Sequence, residues 1–393
     1  MTQNLVSPDP SLPWGVLFDV SRRRQQRLLP INKPVYQFFR ARNAIYNGLK
    51  SLGISPGDKI LVPSFHCAAL VEPILKYGAN VTFYDIRRDG TPNFADIRAR
   101  IDNQTRAAVV IHYFGFPQPI HELQELCRNH DLYLIEDCAH VLTCTTGETS
   151  LGDFGDISIF SWRKLLPLYD GGHLVLNNPN LQPAIGCQKP SLIFSLKVAT
   201  NILEKAIDDS GIKLLKVMHR AVSLPWVITR QAMSKSGRQL RIARIDNYGI
   251  DFDPALANLE MTAVSKFLLS RLDIHAIIQR RRRNYLMLLE GMRSLPGVRA
   301  FFSQLAEGVC PWVFPLVIEG RKDAHLALRA NGIPAVTWGG VVHSTLSVQE
   351  FPDAGYLYEH LVMLPIHQSI DDAGIKIIIE ILAKVLESSE SPR

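Results

Sequence analysis

At 393 residues, with 47% apolar and 20% charged side chains and a formal charge of +6, the chain has the composition of a soluble globular protein of about two to three domains. Its longest nearly unbroken apolar run, Val309 to Ile318 with its two prolines, falls well short of the roughly 20 residues that span a bilayer. The six cysteines form no CxxC pair and no metal-ligand spacing with histidine, so reduced thiols and no metal centre are expected.

Met1 to Pro13 is polar and lacks the basic-then-apolar pattern of a signal peptide, so the expected location is the cytoplasm. Residues 1–30 read as an irregular arm ending in the basic patch Arg22 to Arg27. From Lys33 to Leu52 apolar residues recur at helical spacing. Strands are then predicted at Lys59–Pro63, Val81–Tyr84, Ala107–His112 and Leu132–Ile135, alternating with helices near Ala68–Tyr77, Asn93–Ile101 and Ile120–Asn129. Strands Ile157–Phe160 and His173–Leu176 follow. Such alternation implies a mainly parallel sheet covered on both faces. Residues 179–257 break the rhythm with amphipathic, basic helical stretches and read as an insertion. Long helices over Pro254 to Glu290 lead to a tail of mixed strands (Trp312–Ile318, Pro334–Thr337) and helices (Asp323–Ala330, Ala373–Leu386). The expected organisation is an arm (1–30), a large α/β domain with its insertion (31–257), and a connecting helix with a smaller α+β domain (258–393).

The positive charge is concentrated. Pro179 to Ile245 holds eleven Lys/Arg against three Asp/Glu, a local excess of +8 that leaves about −2 for the rest. This segment suits an anionic substrate, an acidic membrane surface or an oligomer contact. No nucleic-acid module accompanies it. Four successive residues on a helix point in four directions, so Arg280 to Arg283 are expected to form a solvated face rather than one anion clamp.

Two strand ends carry chemistry. Leu134-Ile135 runs into Glu136-Asp137-Cys138-Ala139-His140, and Ile157–Phe160 runs into Ser161-Trp162-Arg163-Lys164, followed by Asp170-Gly171-Gly172. A carboxylate and a lone lysine at strand ends are what a pyridoxal 5'-phosphate (PLP) enzyme needs. The lysine holds the aldehyde as a Schiff base, and the carboxylate keeps the pyridine nitrogen protonated. On the residues alone, Lys164 also reads as a solvated lysine, Asp137 as a helix cap and His140 as a core histidine. Cys138 reads as a buried structural thiol.

In order and spacing these segments resemble the DegT/StrS-type PLP-dependent aminotransferases. Further matches are Ser51 to Asp58, Val62-Pro63-Ser64-Phe65, Tyr77-Gly78-Ala79, Gly152 to Asp156, Asn331-Gly332-Ile333-Pro334 and Leu364-Pro365-Ile366-His367. The resemblance runs from about residue 40 to the C-terminus. It implies the aspartate-aminotransferase fold (PLP fold type I), an aminotransferase and a homodimer. It also implies glutamate as amino donor and a keto group, on a nucleotide-linked sugar, as acceptor. Lys164 takes the place of the Schiff-base lysine, Asp137 of the aspartate at the pyridine nitrogen, and His140 of the residue near the phenolic oxygen. Ala41-Arg42-Asn43 stands where the family has a small-Gly-Thr turn for the phosphate, so Arg42 and Asn43 are expected there with Ser161. The loop from Ser161 to Lys164 is about two residues shorter than the family's. His66 is expected over the ring. His112, Tyr113, Trp338 and His343 are expected to line the acceptor site; His112 and Tyr113 read equally as strand-end packing, and a lone tryptophan such as Trp338 is more often packing. A PLP-dependent elimination or dehydration, and a catalytically silent member, are the competing readings.

Overall fold

The computed structural model describes residues 4–18, 28, 32–143, 145–146, 149–182, 186–209, 252–338 and 342–387. The Arg22–Arg27 patch, most of the basic segment, and Gly339-Gly340 lie outside these.

A seven-stranded sheet forms the centre. In chain order its strands are β1 (Val35–Phe38), β2 (Lys59–Pro63), β3 (Asn80–Tyr84), β4 (Thr105–Ile111), β5 (Tyr133–Cys138), then β8 (Ile157–Ser161) and β9 (Gly172–Leu176); the two-residue strands β6 (Thr145–Thr146) and β7 (Thr149–Ser150) form a separate ribbon. The spatial order is β1-β9-β8-β5-β4-β2-β3. Pairing is parallel from β3 through β8, and β9 runs antiparallel to both β8 and β1. Six strands therefore share one direction and β9 opposes them. β4, β5, β8 and β9 are buried almost throughout, as expected for apolar runs covered on both faces.

Helix α1 (Trp14–Phe18) belongs to the N-terminal arm. Helices α2 (Ala41–Ser51), α3 (Ala68–Tyr77), α4 (Phe94–Arg100) and α5 (Ile120–Asn129) connect or flank the sheet strands. The apolar spacing at 33–52 predicts one helix, but Val35–Phe38 is a strand. Its register with β9, Val35 opposite Val175 and Phe38 opposite Gly172, overrides the local periodicity. α2 then begins at Ala41.

α6 (Leu192–Asp209) falls in the predicted insertion. Its Phe194 and Val198 pack with Phe39 and Leu259. α7 (Ala263–Leu269) and the long α8 (Ile274–Gly291) lead to a second, antiparallel sheet of β10 (Val298–Ala300), β11 (Phe314–Ile318) and β12 (Leu361–Leu364). The remaining helices are α9 (Ala324–Ala330), α10 (Pro352–His360) and α11 (Asp372–Glu387). The stretch at Pro334–Thr337 makes a single bridge, Val336 to Met363, instead of a strand. The arm packs on this C-terminal part: the Leu5 N–H donates to the Gly332 carbonyl at 2.9 Å, and the Ser11 N–H to Ser369 Oγ at 2.8 Å.

Among the described residues no helix is long and apolar enough to cross a membrane.

Candidate active site

The carboxyl ends of β2, β4, β5 and β8 open on one edge of the sheet, where parallel α/β folds place ligands. β5 delivers Asp137. β8 delivers Ser161 and passes into a 3-10 turn, Trp162–Lys164. The Lys164 side chain ends 3.0 Å from Nε2 of His140.

The protons in that contact can be assigned from the network. The Phe114 N–H donates to His140 Nδ1 at 3.2 Å, so the neutral imidazole carries its proton on Nε2. An ammonium offers no lone pair to that N–H, so the contact favours the neutral amine of Lys164. Burial acts the same way, lowering both the Lys164 ammonium and, far more strongly, the His140 imidazolium. Burial raises the Asp137 carboxyl; the Lys164 charge and the Ala139 N–H, which donates to Asp137 Oδ1 at 2.9 Å, oppose that rise. Burial thus eases loss of the Lys164 proton, and the amine so formed is a nucleophile with a buried carboxyl as its acid–base partner.

Aromatic rings close over this group. His140 stacks on Trp312, with centroids 4.2 Å apart and planes 20° apart, and Trp338 lies 5.4 Å from it. The Trp312 indole N–H donates to the Lys164 carbonyl at 3.0 Å, and its backbone N–H to the Phe114 carbonyl at 2.8 Å. To make those bonds β4 ends in a sharp bend. Phe114 sits at φ 58°, a left-handed conformation uncommon for a bulky residue. Gly115 follows at φ 95°, where a Cβ would lie 2.6 Å from the Cys310 carbonyl oxygen.

Arg281 departs from the expected solvated face. It is fully buried. Its guanidinium donates to the Leu165 carbonyl at 2.7 Å, the Trp312 carbonyl at 2.8 Å and Gln368 Oε1 at 2.9 Å. Its neighbours diverge: Arg280 and Arg283 both pair with Asp372, and Arg282 donates to the Ala306 and Val309 carbonyls. The four side chains point apart as helical geometry demands, but one points into the core.

The remaining predicted residues divide. His112 and Tyr113, expected in the acceptor site, direct their polar atoms to groups within the protein. His112 accepts from the Gln118 N–H at 3.1 Å and donates to Glu136 at 2.9 Å, while the Tyr113 hydroxyl donates to the Phe65 carbonyl at 2.5 Å; both side chains are buried. Glu136 also accepts the N–H groups of Gly152, Phe154 and Gly155. His112, Glu136 and Cys138 converge within 4.8 Å, but those bonds already occupy the first two. Asn43, expected at a phosphate, donates its amide to the carbonyls of Leu256 at 2.5 Å and Ala257 at 3.2 Å. His66 stacks on Phe83 with centroids 4.9 Å apart, and burial lowers it to about 4. The next residue, Cys67, lies near enough to act on the Lys164 charge. His343 contacts Glu72 at 3.0 Å and Thr345 Oγ1 at 2.7 Å. Trp338 joins the aromatic cluster through Phe65, 4.9 Å away. Ser161 closes β8 opposite Gly172 and is buried.

Arg42 lies beside Arg40 and Arg163 on a cavity of about 200 Å³, with Tyr169, Lys205 and Asp9 on its other sides. Gly172 makes this corner possible: a Cβ there would lie 2.2 Å from the Arg40 carbonyl. No local pattern marks Phe114 or Trp312 for this site, and none separates Arg281 from its three neighbours, since their partners are remote in the chain.

Fold and site together define an α/β chain in which a lysine amine and a carboxyl meet at adjacent strand ends, beside one reversed strand. The model of the DegT/DnrJ/EryC1/StrS aminotransferase family matches residues 40–190. Over 138 residues it is 34% identical to GDP-perosamine synthase of Vibrio cholerae, a match spanning 34% of this chain and 38% of that enzyme. It is 24% identical over 367 residues to the dTDP-4-dehydro-2,3,6-trideoxy-D-glucose 4-aminotransferase of Saccharopolyspora spinosa, covering 89% of this chain and 84% of the other. The fold is that of Helicobacter pylori PseC, an aminotransferase of pseudoaminic acid biosynthesis, with a TM-score of 0.69 at 18% identity over 98% of this chain and all of that one.

Proposed function

We propose that this chain is a PLP-dependent aminotransferase that moves an amino group from glutamate to the keto group of a nucleotide-linked sugar. One observation carries the reading: the buried Lys164 amine lies 3.0 Å from His140, its ammonium disfavoured by burial, and is electrostatically coupled to Asp137. The donor set fits the cofactor, with an amine for its aldehyde, a buried carboxyl for its ring nitrogen and a cationic cavity for its phosphate. The relatives support the acceptor class, being named for GDP-, UDP- and dTDP-linked sugars.

When bound, PLP supplies an aldehyde that captures amines and a ring that takes up electron density. Lys164 would attach the cofactor and, once released, carry a proton at Nζ. Asp137 would keep the ring nitrogen protonated. His140 would orient the amine through Nε2–H, and Trp312 would shield it from water. The expected parts are an arm (1–30), a large domain (31–257) and a connecting helix with a small domain (258–393), assembled as a cytoplasmic homodimer.

The test is two half-reactions. Cofactor-loaded protein given glutamate should release 2-oxoglutarate and lose its visible absorbance. A panel of nucleotide-linked keto-sugars should then restore it. No 2-oxoglutarate, with water or ammonia lost from a sugar substrate instead, would replace transamination by elimination.

A further inference from the structure

The turn between β1 and α2 is electrostatically unusual. Arg40 is the N-cap of α2 and Arg42 lies in its first turn, which holds no acidic residue. A helix N-terminus carries partial positive charge and disfavours cations. Arg163, from the loop of Lys164, brings a third guanidinium to the same cavity, and Lys205 of α6 a fourth cation. Arg40 is fixed in place: it donates to the Tyr169 carbonyl at 2.8 Å and lies over the rings of Phe39 and Tyr169, 4.7 and 5.2 Å from their centroids. Burial and the charges of Arg163 and Arg42 lower it to about 9. Two acids lie close: Asp9 lines the cavity opposite Lys205, and Asp170 acts on the Arg40 charge. Asp170 accepts from Thr262 and Ser265, and Asp9 pairs with Lys205 at 3.2 Å.

Converging guanidinium groups at a helix N-terminus suit a phosphoryl dianion, which accepts several charge-assisted hydrogen bonds. The size of the cavity, about 200 Å³, favours a phosphate over a nucleoside, since sites for whole ligands run about 300–1,000 Å³. Position favours the cofactor's phosphate, because Arg163 precedes Lys164 and both Arg163 and Arg42 act on its charge. We propose that Arg42 and Arg163 bind the cofactor's phosphate through their side chains, replacing the backbone-and-hydroxyl turn that Ala41-Arg42-Asn43 and the shortened Lys164 loop no longer provide. This rests on the PLP reading above.

Equilibrium binding separates the two ideas. Affinities for PLP and for pyridoxal, which lacks the phosphate, would be measured by dialysis on the full chain, Arg42→Gln, Arg163→Gln and the corresponding lysine variants. Each glutamine variant should bind PLP about 10-fold or more weakly, the scale of a lost charge-assisted bond, with pyridoxal affinity unchanged. Each lysine variant should recover part of the loss. Unchanged preference for PLP over pyridoxal in both glutamine variants would overturn the proposal and leave the PLP reading standing. An equal loss for pyridoxal would also overturn it, since the arginines would then serve the fold. UDP losing affinity in these variants while PLP does not would assign the cradle to the acceptor's diphosphate, against the proposal. A wild-type chain that binds neither PLP nor pyridoxal would overturn both.

Discussion

The guanidinium of Arg281, on the long helix α8, donates at 2.7 Å to the carbonyl of Leu165, the residue after Lys164. The same group holds the Trp312 carbonyl at 2.8 Å. One buried arginine thus fixes both the lysine loop and the ring that covers it.

Arg281→Met should therefore do more than destabilise. The Trp312 carbonyl would lose this donor and the Leu165 carbonyl would keep only Gln368, at 3.2 Å; a buried acceptor left unpaired costs about 1–3 kcal/mol, so the melting temperature should fall by several degrees. Retention of PLP on dialysis should fall with it, because the Leu165 carbonyl is then held by Gln368 alone. Arg281→Lys offers one charge without the fork and should recover only part. Normal cofactor retention in a folded Arg281→Met protein would show that the clamp serves the fold alone.

Lys164→Ala should abolish turnover and the visible absorbance of the loaded protein while leaving the circular dichroism spectrum unchanged. Borohydride treatment of the wild type with PLP should fix the cofactor on the peptide containing Lys164. Attachment elsewhere in the chain would reassign the nucleophile.

Asp137→Asn separates two effects. The Asp137 charge favours the Lys164 ammonium, so its loss should lower the lysine further and speed cofactor attachment at neutral pH. Turnover should nevertheless fall by several orders of magnitude, since an amide cannot hold a ring nitrogen protonated. Stopped-flow loading and steady-state assays should therefore move in opposite directions. If both are unchanged, Asp137 only caps the backbone at Ala139.

Three buried histidines set an acid limit on stability. Burial lowers His66 and His367 to about 4 and His173 to about 3. The unfolded chain protonates near the ordinary value of about 6.5. Between those values the unfolded state binds more protons, so stability is complete above about pH 6.5 and is lost as pH falls towards 4. His173, next to Trp162 with centroids 3.9 Å apart, has neither ring nitrogen hydrogen-bonded. Melting curves of His173→Phe should depend less steeply on pH over that window than those of the wild type. An identical slope would show that His173 does not contribute.

What could be read from the chain was local. Asp137 and Lys164 follow short apolar runs, and a buried strand must deliver the residue at its end to the sheet's edge. The fold class followed from alternating elements. What could not be read depended on remote partners. Asn43 bonds to carbonyls more than 200 positions away. His112 turns to Glu136 on the neighbouring strand, and Arg281 reaches the Lys164 loop from another sheet's supporting helix. No local pattern marks the positive φ of Phe114, which arises from its contact with Trp312 and the following Gly115.

The bridge between Gln188 and Leu259 has a consequence for how this chain can vary. The Gln188 N–H donates to the Asn258 carbonyl at 2.8 Å, and the Glu260 N–H returns a bond to Gln188 at 2.9 Å. Between these ends α6 packs back on the body, with Phe194 and Val198 against Phe39. Closing a longer loop across a fixed seam adds little entropy, about 0.6 kcal/mol per doubling of length. Added length between the two ends is therefore cheap so long as α6 keeps its contacts, while Asp170, held by Thr262 and Ser265 just past the seam, fixes the turn before β9.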